Sequence, residues 1–401
     1  TSVGIRMHAI EGTGVPVLTG AVNGLTVTGD FASLQPSALM NSINDMERVP
    51  GGTFSRLIEV FAQGGTPQGG GIQITEANVT VSGGVLEGGA SATTDGWDIG
   101  IYSALGDPSQ SGNVDYRAGT LVTVTGASIS NFVEAGIYGT STRDTRGQIE
   151  LRGQTVVFDT GSLETHAPGD YRHSGVHLYN LEGYMSLSGS GSIVRDNTGH
   201  GIVLRSSGTI RVDNDVDMGM PLALRRCQIY RNDGDGIGLE SGVGTTLNPL
   251  FVQDGVVGGT HTIDTGYTIL ENGSMSAPIP FGQGVIDSCA ISNNGERGVH
   301  AQVGDGGSET FVYCRLTNSI IWNNPLGGFV GDFTNPNFPS QPSAGTILTP
   351  IVHCTIAGNG GGSAPYNIEF LYPPLGIGGS YYWDNGGVVT DLRPTLGPAP
   401  M

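Results

Sequence analysis

The stretch Cys289-Ala-Ile-Ser-Asn-Asn294, followed by Gly298-Val299, contains the pattern that decides the fold. It reads small residue or Cys, any residue, Ile or Val, any two residues, Asn, and then a short gap ending in Gly and an apolar residue. Clear copies of the phrase begin at Ser192, Cys227 and Ser319, and looser copies begin near Gly83, Ala127, Thr155, Tyr267 and Cys354. A small residue, an aliphatic residue and an Asn at fixed offsets indicate a stack of equivalent backbone turns.

The copies follow one another at intervals of 22 to 44 residues. Repeats in this range are typical of solenoids, in which each unit buries its apolar face against its neighbours. The small and aliphatic residues lie two apart, so they share the side of a strand that faces the core. The Asn is well placed to bend the chain, because Asn tolerates left-handed conformations, and to pair with the Asn of the next coil. The predicted Asn ladder is Asn197, Asn232, Asn272, Asn294, Asn324 and Asn359.

This pattern resembles the right-handed parallel β-helix of pectate lyases, polygalacturonases and phage tailspikes. The phrases Cys354-Thr-Ile-Ala-Gly-Asn359 and Asn318-Ser-Ile-Ile-Trp-Asn-Asn324 are similar to those of secreted β-helix repeat proteins of planctomycete-like bacteria. The resemblance implies an all-β, single-stranded, right-handed parallel β-helix of about nine or more coils. It implies little about function, because this scaffold hosts lyases, hydrolases, epimerases, adhesins and structural fibres.

The repeat runs through most of the chain, so we predict one solenoid with modified ends. Residues 1–69 are expected to form N-terminal coils and a capping helix at 36–47, where apolar residues recur at helical spacing. Residues 70–390 are expected to form the β-helix, and 391–401 a Pro-rich tail. Most long insertions follow the third strand of a coil, which predicts long loops leaving one corner.

Composition limits the partners of this chain. Its 401 residues include 17 Arg, no Lys and 36 acidic residues, giving a formal net charge of −19. This charge argues against nucleic acid and anionic membranes as partners, and polyanionic polysaccharides would be repelled on average. No apolar run approaches the roughly 18 residues of a membrane span. The chain begins at Thr1, which is compatible with a removed signal peptide, so we expect a secreted, extracellular or cell-surface protein.

The four Cys are expected to be buried free thiols. Cys227, Cys289 and Cys354 share the first position of the phrase, but Tyr267 and Ser319 occupy that position in the coils expected between them. Two coils correspond to about 9.6 Å. Because Cα atoms more than about 7 Å apart cannot be bridged, the spacing predicts no disulfide among them.

The residue before the ladder Asn should point outward, and this column is rich in acids. Asp159 and Asp196 would lie one coil apart, about 4.8 Å, near the carboxyl separation of retaining glycosidases. His200 and Asp235 are expected at the same corner, and the sequence around His200 resembles the Gly-His-Gly of polygalacturonases. The Arg-x-Lys of that family has no counterpart, since the chain lacks Lys. The alternative interpretation is a solvated acidic column stabilised by Arg231.

A second candidate site lies on the outward side of the third strand of each coil. Stacked aromatic, His and Arg side chains could form a sugar-binding track there; its candidates are Tyr102, Tyr138, His177, Tyr179, Arg205 and His300. The alternative is that these residues are simply favoured on sheets. We expect no cofactor, and a Ca2+ site is left open without a clear motif to support it. The calcium-dependent lyases of the superfamily carry an acidic cluster that has no clear equivalent here.

Two functions of different classes follow, and the sequence leaves enzymatic activity open. The first is an extracellular structural or surface protein that associates with copies of itself into an oligomer or fibre. The regular repeat, the long loops and the absence of a complete catalytic motif favour it. The second is a polysaccharide-binding or polysaccharide-degrading protein, a lyase or glycosidase, which the acidic and aromatic columns favour.

Overall fold

The computed structural model describes part of the chain. The described residues are 3–10, 17–28, 55–63, 75–89, 96–105, 118–141, 145–160, 174–180, 184–206, 222–241, 261–263, 267–269, 275–278, 285–303, 311–313, 315–332, 346–348, 351–360 and 367–371. They contain strands and turns but no helix. The helix predicted at 36–47 lies outside them.

Three parallel sheets, named here in the order in which each coil visits them, build the fold. The first sheet contains β2 (Val17–Asn23), β5 (Thr75–Ser82), β8 (Ala118–Thr125), β11 (Thr145–Arg152), β14 (Tyr184–Ser190), β17 (Leu222–Arg225), β23 (Val285–Asp287), β27 (Arg315–Thr317) and β31 (Ile351–Val352). The second contains β3 (Thr26–Val27), β6 (Val85–Glu87), β9 (Ser128–Ser130), β12 (Val156–Phe158), β15 (Ile193–Arg195), β18 (Gln228–Tyr230), β24 (Ala290–Ser292), β28 (Ile320–Trp322) and β32 (Thr355–Ala357). The third contains β1 (Val3–Ile10), β4 (Arg56–Gln63), β7 (Ile99–Leu105), β10 (Ala135–Ser141), β13 (Ser174–Asn180), β16 (Ile202–Ser206), β19 (Ile237–Ser241), β25 (Arg297–Val303), β29 (Gly327–Asp332) and β33 (Ile368–Leu371).

Every pairing within these three sheets is parallel, and successive coils stack in register, which confirms the all-β solenoid. In the third sheet, for example, Ile202 pairs with Ile237 and Ile237 with Val299. These side chains are buried in one continuous apolar core, as the spacing of the repeat predicts. The sheets already include β1 to β3, since β1 pairs with β4 and β2 with β5. The domain boundaries given above stay a prediction.

The corner between the second and third sheets depends on two neighbouring columns with separate roles. In six of the nine second-sheet strands the last residue is followed by a non-Gly residue with positive φ, in the left-handed region: Asn131, Asp159, Asp196, Arg231, Asn293 and Asn323. The ladder Asn comes one residue later and is buried. The bend was expected at the ladder Asn itself, but it lies at the preceding residue. The ladder Asn instead bonds to buried groups of the neighbouring coil. Asn294 Oδ1, for example, accepts the backbone N–H of Asn232 at 3.2 Å and its Nδ2 at 2.9 Å.

The Gly of the phrase is required by the closeness of successive coils. A Cβ on Gly201 would lie 2.6 Å from the carbonyl oxygen of Gly236 and 2.8 Å from Asn232 Nδ2. The same contacts recur at Gly236, which faces Gly298 and Asn294. Any side chain at these positions would therefore push two coils apart.

The prediction of a coil around Tyr267 was wrong. Tyr267 lies in an antiparallel sheet formed by β20 (His261–Ile263), β21 (Tyr267–Ile269) and β22 (Met275–Pro278). The strands of the preceding coil pair directly with those of the coil that begins near Cys289, so residues 242–284 are an insertion between adjacent coils. The apolar alternation of Tyr267-Thr-Ile269 suits an antiparallel strand equally well, and Asn272 lies outside the described residues.

Two further described strands, β26 (Phe311–Tyr313) and β30 (Thr346–Leu348), also lie outside the three sheets of the coils and pair parallel to each other. The segments 106–117, 207–221 and 242–284 all join a third-sheet strand to the next first-sheet strand, which agrees with insertions leaving one corner. Among the described residues, no helix is long and apolar enough to cross a membrane.

Candidate functional site

A partly exposed band along one edge of the second sheet carries the first group of candidate residues. We call it the second-sheet strip. It consists of the last residue of five consecutive second-sheet strands and the residue that follows each: Phe158, Arg195, Tyr230, Ser292 and Trp322, then Asp159, Asp196, Arg231, Asn293 and Asn323. The strands hold the first column in register, and the left-handed turn directs the second column toward solvent.

Aromatic rings occupy every second coil of the strip. Phe158 pairs with Arg195, Arg195 with Tyr230, and two further steps lead to Trp322. Two coils correspond to about 9.6 Å, so the three rings recur at that interval along the solenoid axis. Trp322 is 38% exposed although it is large and apolar. Its neighbours in the column are the smaller Ser292 and Ala357.

Arginine side chains pack on the two other rings. The Arg195 guanidinium carbon lies 4.5 Å from the Phe158 ring centroid, and that of Arg231 lies 4.9 Å from the Tyr230 centroid. Both distances are within the range of cation–π contacts. Each guanidinium covers one face of its ring, so Phe158 and Tyr230 are half-buried and offer a ligand the uncovered part of the ring beside a hydrogen-bond donor.

Asp159 and Asp196 lie one coil apart on the strip, and their ionisation is pushed in opposite directions. Arg231 donates to both oxygens of Asp196, from Nε at 2.6 Å and from Nη2 at 2.7 Å, and Arg195 also contacts this carboxylate. The hydrogen bonds from Arg231, together with Arg195, lower the pKa of Asp196. Partial desolvation and the nearby Asp196 carboxylate raise the pKa of Asp159.

The other end of the strip is uncharged. Asn293 and Asn323 are exposed, and Asn323 donates a hydrogen bond from its amide nitrogen to Asn293 Oδ1. Exposed amides offer both donors and acceptors. This end can therefore bind hydroxyl groups without selecting for charge.

His200 and Asp235 belong to a different place, a buried histidine cluster at the outer side of the third sheet. Asp235 Oδ2 lies 3.0 Å from His300 Nδ1, and His300 Nε2 lies 3.5 Å from Asp332 Oδ2. The backbone N–H of Asp235 donates to His200 Nδ1 at 2.9 Å. Arg297 donates its backbone N–H to Asp235 Oδ1 at 2.9 Å. His200, Asp235 and His300 are all nearly inaccessible to solvent.

The cluster is stabilised by opposite charges. Burial disfavours the Asp235 carboxylate, but His300, Arg297 and His200 outweigh burial and lower the pKa of Asp235. Burial likewise disfavours the His300 imidazolium, yet Asp235 and Asp332 raise the pKa of His300 to about 9. At neutral pH the pair is therefore a buried imidazolium–carboxylate ion pair.

The same region offers a set of metal-binding residue types, but their contacts do not suit a metal. His200, Asp235 and Glu296 place one potential ligand atom each within 4.8 Å of one another. Arg297 Nη1, however, lies 3.5 Å from both Asp235 Oδ1 and Glu296 Oε2. His200 Nδ1 already accepts the Asp235 N–H. The guanidinium supplies the positive charge that a cation would bring, so these residues form an ion-pair network.

The residues of the expected sugar-binding track share columns of the third sheet but are buried. Tyr102 pairs with Tyr138 and Tyr138 with His177; the two Tyr rings stack with centroids 5.8 Å apart, and the Tyr138 and His177 rings meet edge to face at 5.0 Å. Tyr179 and His300 are also buried. Arg205 pairs with Tyr179 through the backbone, and its side chain lies outside the described part. Buried rings do not present their faces to a polymer in this conformation. The assignment of these residues to sugar binding stays a prediction.

The four catalytic candidates thus divide into two groups. Asp159 and Asp196 lie on the second-sheet strip, whereas His200 and Asp235 lie in the buried histidine cluster. Asp159 and Asp196 are engaged by Arg195 and Arg231, whereas Asp235 contacts both His200 and His300, so a catalytic role for the four residues together stays a prediction.

Comparisons with known proteins add little. No family model matches this chain, and no curated protein matches it. Among solved structures, it is similar to one described as "Crystal structure of Agl-KA catalytic domain", with 11% sequence identity and a TM-score of 0.26. The match covers 82% of this chain and 58% of that chain, so this chain spans less than two thirds of its length. A likeness at this level carries no argument about function.

Sequence reasoning missed the aromatic members of the strip. Phe158, Tyr230 and Trp322 stand one position before the acidic and amide column that it singled out. The aromatic residues stand three positions after the first residue of the phrase, as Tyr230 does after Cys227. Their alternation is not visible while residues 267–272 are counted as a coil. Without that coil, the three aromatic residues fall on alternate coils.

Proposed function

We propose that this protein binds a polysaccharide along the second-sheet strip. The observation that carries the proposal is the recurrence of Phe158, Tyr230 and Trp322 on alternate coils of a regular surface, on which Trp322 is exposed and the other two rings are half-buried. Sugar rings pack their apolar faces on aromatic side chains, while their hydroxyl groups bond to amides, carboxylates and guanidinium groups. The strip supplies both kinds of group in fixed order.

The spacing of the strip favours an extended chain. One coil advances about 4.8 Å, close to the advance of one sugar residue in an extended β-linked glycan. Alternate sugars of such a chain present the same face, so they would meet the aromatic residues on alternate coils. A glycan that coils into a helix would lose this match after a few sugars.

The charge of the molecule favours a neutral glycan. The formal net charge of −19 repels polyanions at long range. Within the strip, Asp196 already neutralises Arg231 through two hydrogen bonds. No strong local positive field is therefore left on this part of the strip to attract uronic acids.

Co-sedimentation with insoluble glycans tests the proposal. We expect purified protein to bind cellulose, chitin or β-mannan and to remain bound at high salt, because neutral contacts are insensitive to screening. Polygalacturonate and alginate serve as charged comparisons. Failure to bind any neutral polysaccharide would contradict the proposed function.

Hydrolysis is a second candidate, and the opposed ionisation of Asp159 and Asp196 favours it. Glycosidases use one carboxylic acid and one carboxylate, and environments that push two pKa values apart produce that division of roles. Asp159 would be the acid and Asp196 the carboxylate. Reducing-end release from a bound glycan measures the activity. Asp159→Asn should abolish it while binding persists; activity that survives this substitution would rule out the pair.

Self-association, the other function predicted from the sequence, stays a prediction. Multi-angle light scattering of the full chain over a range of concentrations measures it directly. A constant mass equal to that of the 401-residue chain would contradict an oligomer or fibre.

A further inference from the structure

Cys227 and Cys289 lie on adjacent coils, although they are 62 positions apart in the sequence. Their neighbours Gln228 and Ala290 pair directly, and the backbone N–H of Ala290 donates to the carbonyl of Cys227 at 2.9 Å. Sequence spacing placed another coil between the two thiols. The structure removes that coil and with it the reason for excluding a bridge.

The geometry of stacked coils is compatible with a disulfide. Equivalent Cα atoms of paired strands are about 4.8 Å apart. The Cα atoms of a disulfide are usually about 4.4 to 6.8 Å apart, most often at about 5.5 to 6 Å. In this structure both thiols are buried and unbridged, and each donates to the carbonyl two residues earlier, Cys227 to Arg225 at 3.5 Å and Cys289 to Asp287 at 3.3 Å, so the two side chains point the same way. Cys227 Sγ packs over Gly189, where a Cβ would lie 3.1 Å from the sulfur.

The third described thiol provides a contrast. Cys354 occupies the same column, but Ser319 lies between it and Cys289. The backbone N–H of Cys289 donates to Ser319 Oγ at 3.1 Å. Cys354 is thus two coils from Cys289, a separation of about 9.6 Å along the axis. This separation is too long for a disulfide.

We propose that Cys227 and Cys289 form an intrachain disulfide that joins the two coils flanking the insertion at 242–284. The two thiols lose two protons and two electrons, and a disulfide oxidant such as oxidised glutathione accepts them and becomes two thiols. The bond would hold the stack closed where the longest insertion interrupts it. Because it constrains the unfolded chain over a long loop, it should raise thermal stability.

The environment assists the chemistry. A hydrogen bond from Cys289 lowers the pKa of Cys227 to about 7, although burial opposes the thiolate. The same contact and burial raise the pKa of Cys289. Either thiol, once deprotonated, can attack the oxidant and form a mixed disulfide, which the other thiol then resolves.

The experiment uses the full chain in two arms. Native protein is incubated with oxidised glutathione, and unfolded protein is refolded in a glutathione redox buffer. Both samples are alkylated under denaturing conditions and measured by intact mass and peptide mapping. We expect two of the four thiols to be lost, a Cys227–Cys289 linked peptide in at least one arm, and a melting temperature several degrees higher that returns on reduction.

Matched variants separate this pair from other thiols. Cys289→Ser should abolish the linkage and still fold, since Ser occupies the same column at Ser192 and Ser319. Cys354→Ser should leave the linkage intact. Four free thiols in both arms, or a linkage that includes Cys354 or Cys314, would overturn the proposal.

Discussion

Asn294 donates a hydrogen bond from Nδ2 to Oδ1 of Asn324 at 2.9 Å, one coil further along the solenoid. Its own Oδ1 accepts the backbone N–H of Asn232 at 3.2 Å and the side-chain amide of Asn232 at 2.9 Å. The same relationship repeats between Asn324 and Asn359. The side chain of each of these Asn therefore accepts hydrogen bonds from a buried backbone N–H and a buried amide of the preceding coil and donates one to the Asn of the following coil.

Replacing Asn294 with Leu should destabilise the protein by about 2 to 4 kcal/mol. Leu keeps the volume but leaves the Asn232 N–H and amide without their acceptor, and buried polar groups left unpaired cost about 1 to 3 kcal/mol each. Urea denaturation followed by circular dichroism measures the change.

The neighbouring Asn293 provides the control. It is exposed and has a φ of 56°, a conformation that Gly adopts without strain. Asn293→Gly should change stability by less than about 1 kcal/mol. Equal losses in the two variants would mean that the ladder has no special role.

Most of the solenoid could be predicted from the sequence, because the phrase records the constraints of stacking. A small residue, a core aliphatic residue, a buried Asn and a Gly each meet the next coil, so their spacing appears in the sequence. The Tyr267 coil failed because two apolar residues and an Asn also occur by chance. A single sequence does not reveal which strands pair.

The buried histidine cluster should make stability depend on pH above neutrality. The pKa of His300 is about 9 in the folded protein and near 6.5 when unfolded. Its contribution is therefore complete below about pH 6.5 and lost as the pH rises through 9. The corresponding free energy is on the order of 3 kcal/mol. Asp235, whose pKa is lowered, contributes above its unfolded pKa of about 3.9 and loses that contribution at more acidic pH.

Unfolding free energies at pH 6 and pH 9.5 measure this dependence. His300→Gln should lower stability at pH 6 and flatten the decrease between the two values. The exposed His353, replaced by Asn, should leave the decrease unchanged. A wild-type protein equally stable at both values would show that His300 is not an imidazolium in the fold.

Trp322→Ala should weaken glycan binding about tenfold, since an aromatic contact contributes roughly 1 kcal/mol or more. Ile320 lies two residues earlier on β28 and is 49% exposed. Ile320→Ala removes apolar surface from the same strand but not from the strip, so it should leave affinity unchanged. Equal effects would indicate unspecific adsorption.

The candidate site was less predictable than the fold. Asp159 and Asp196 could be paired from the repeat, because both precede a ladder Asn. Their opposite pKa shifts depend on Arg231 and Arg195, whose side-chain positions no spacing rule gives. Likewise, the burial of Tyr102 and Tyr138 could not be anticipated, since alternation identifies the outer side of a strand but not whether that side meets solvent.

Calorimetric titration with β-linked glucan oligosaccharides of increasing length tests polysaccharide binding on the strip most directly. Phe158 and Trp322 are four coils apart, about 19 Å, so affinity should rise with each added sugar until the chain spans them and then level off. Trp322→Ala should make the rise end earlier. Affinity that does not depend on chain length, or equally tight binding of the α-linked maltohexaose, would contradict the account.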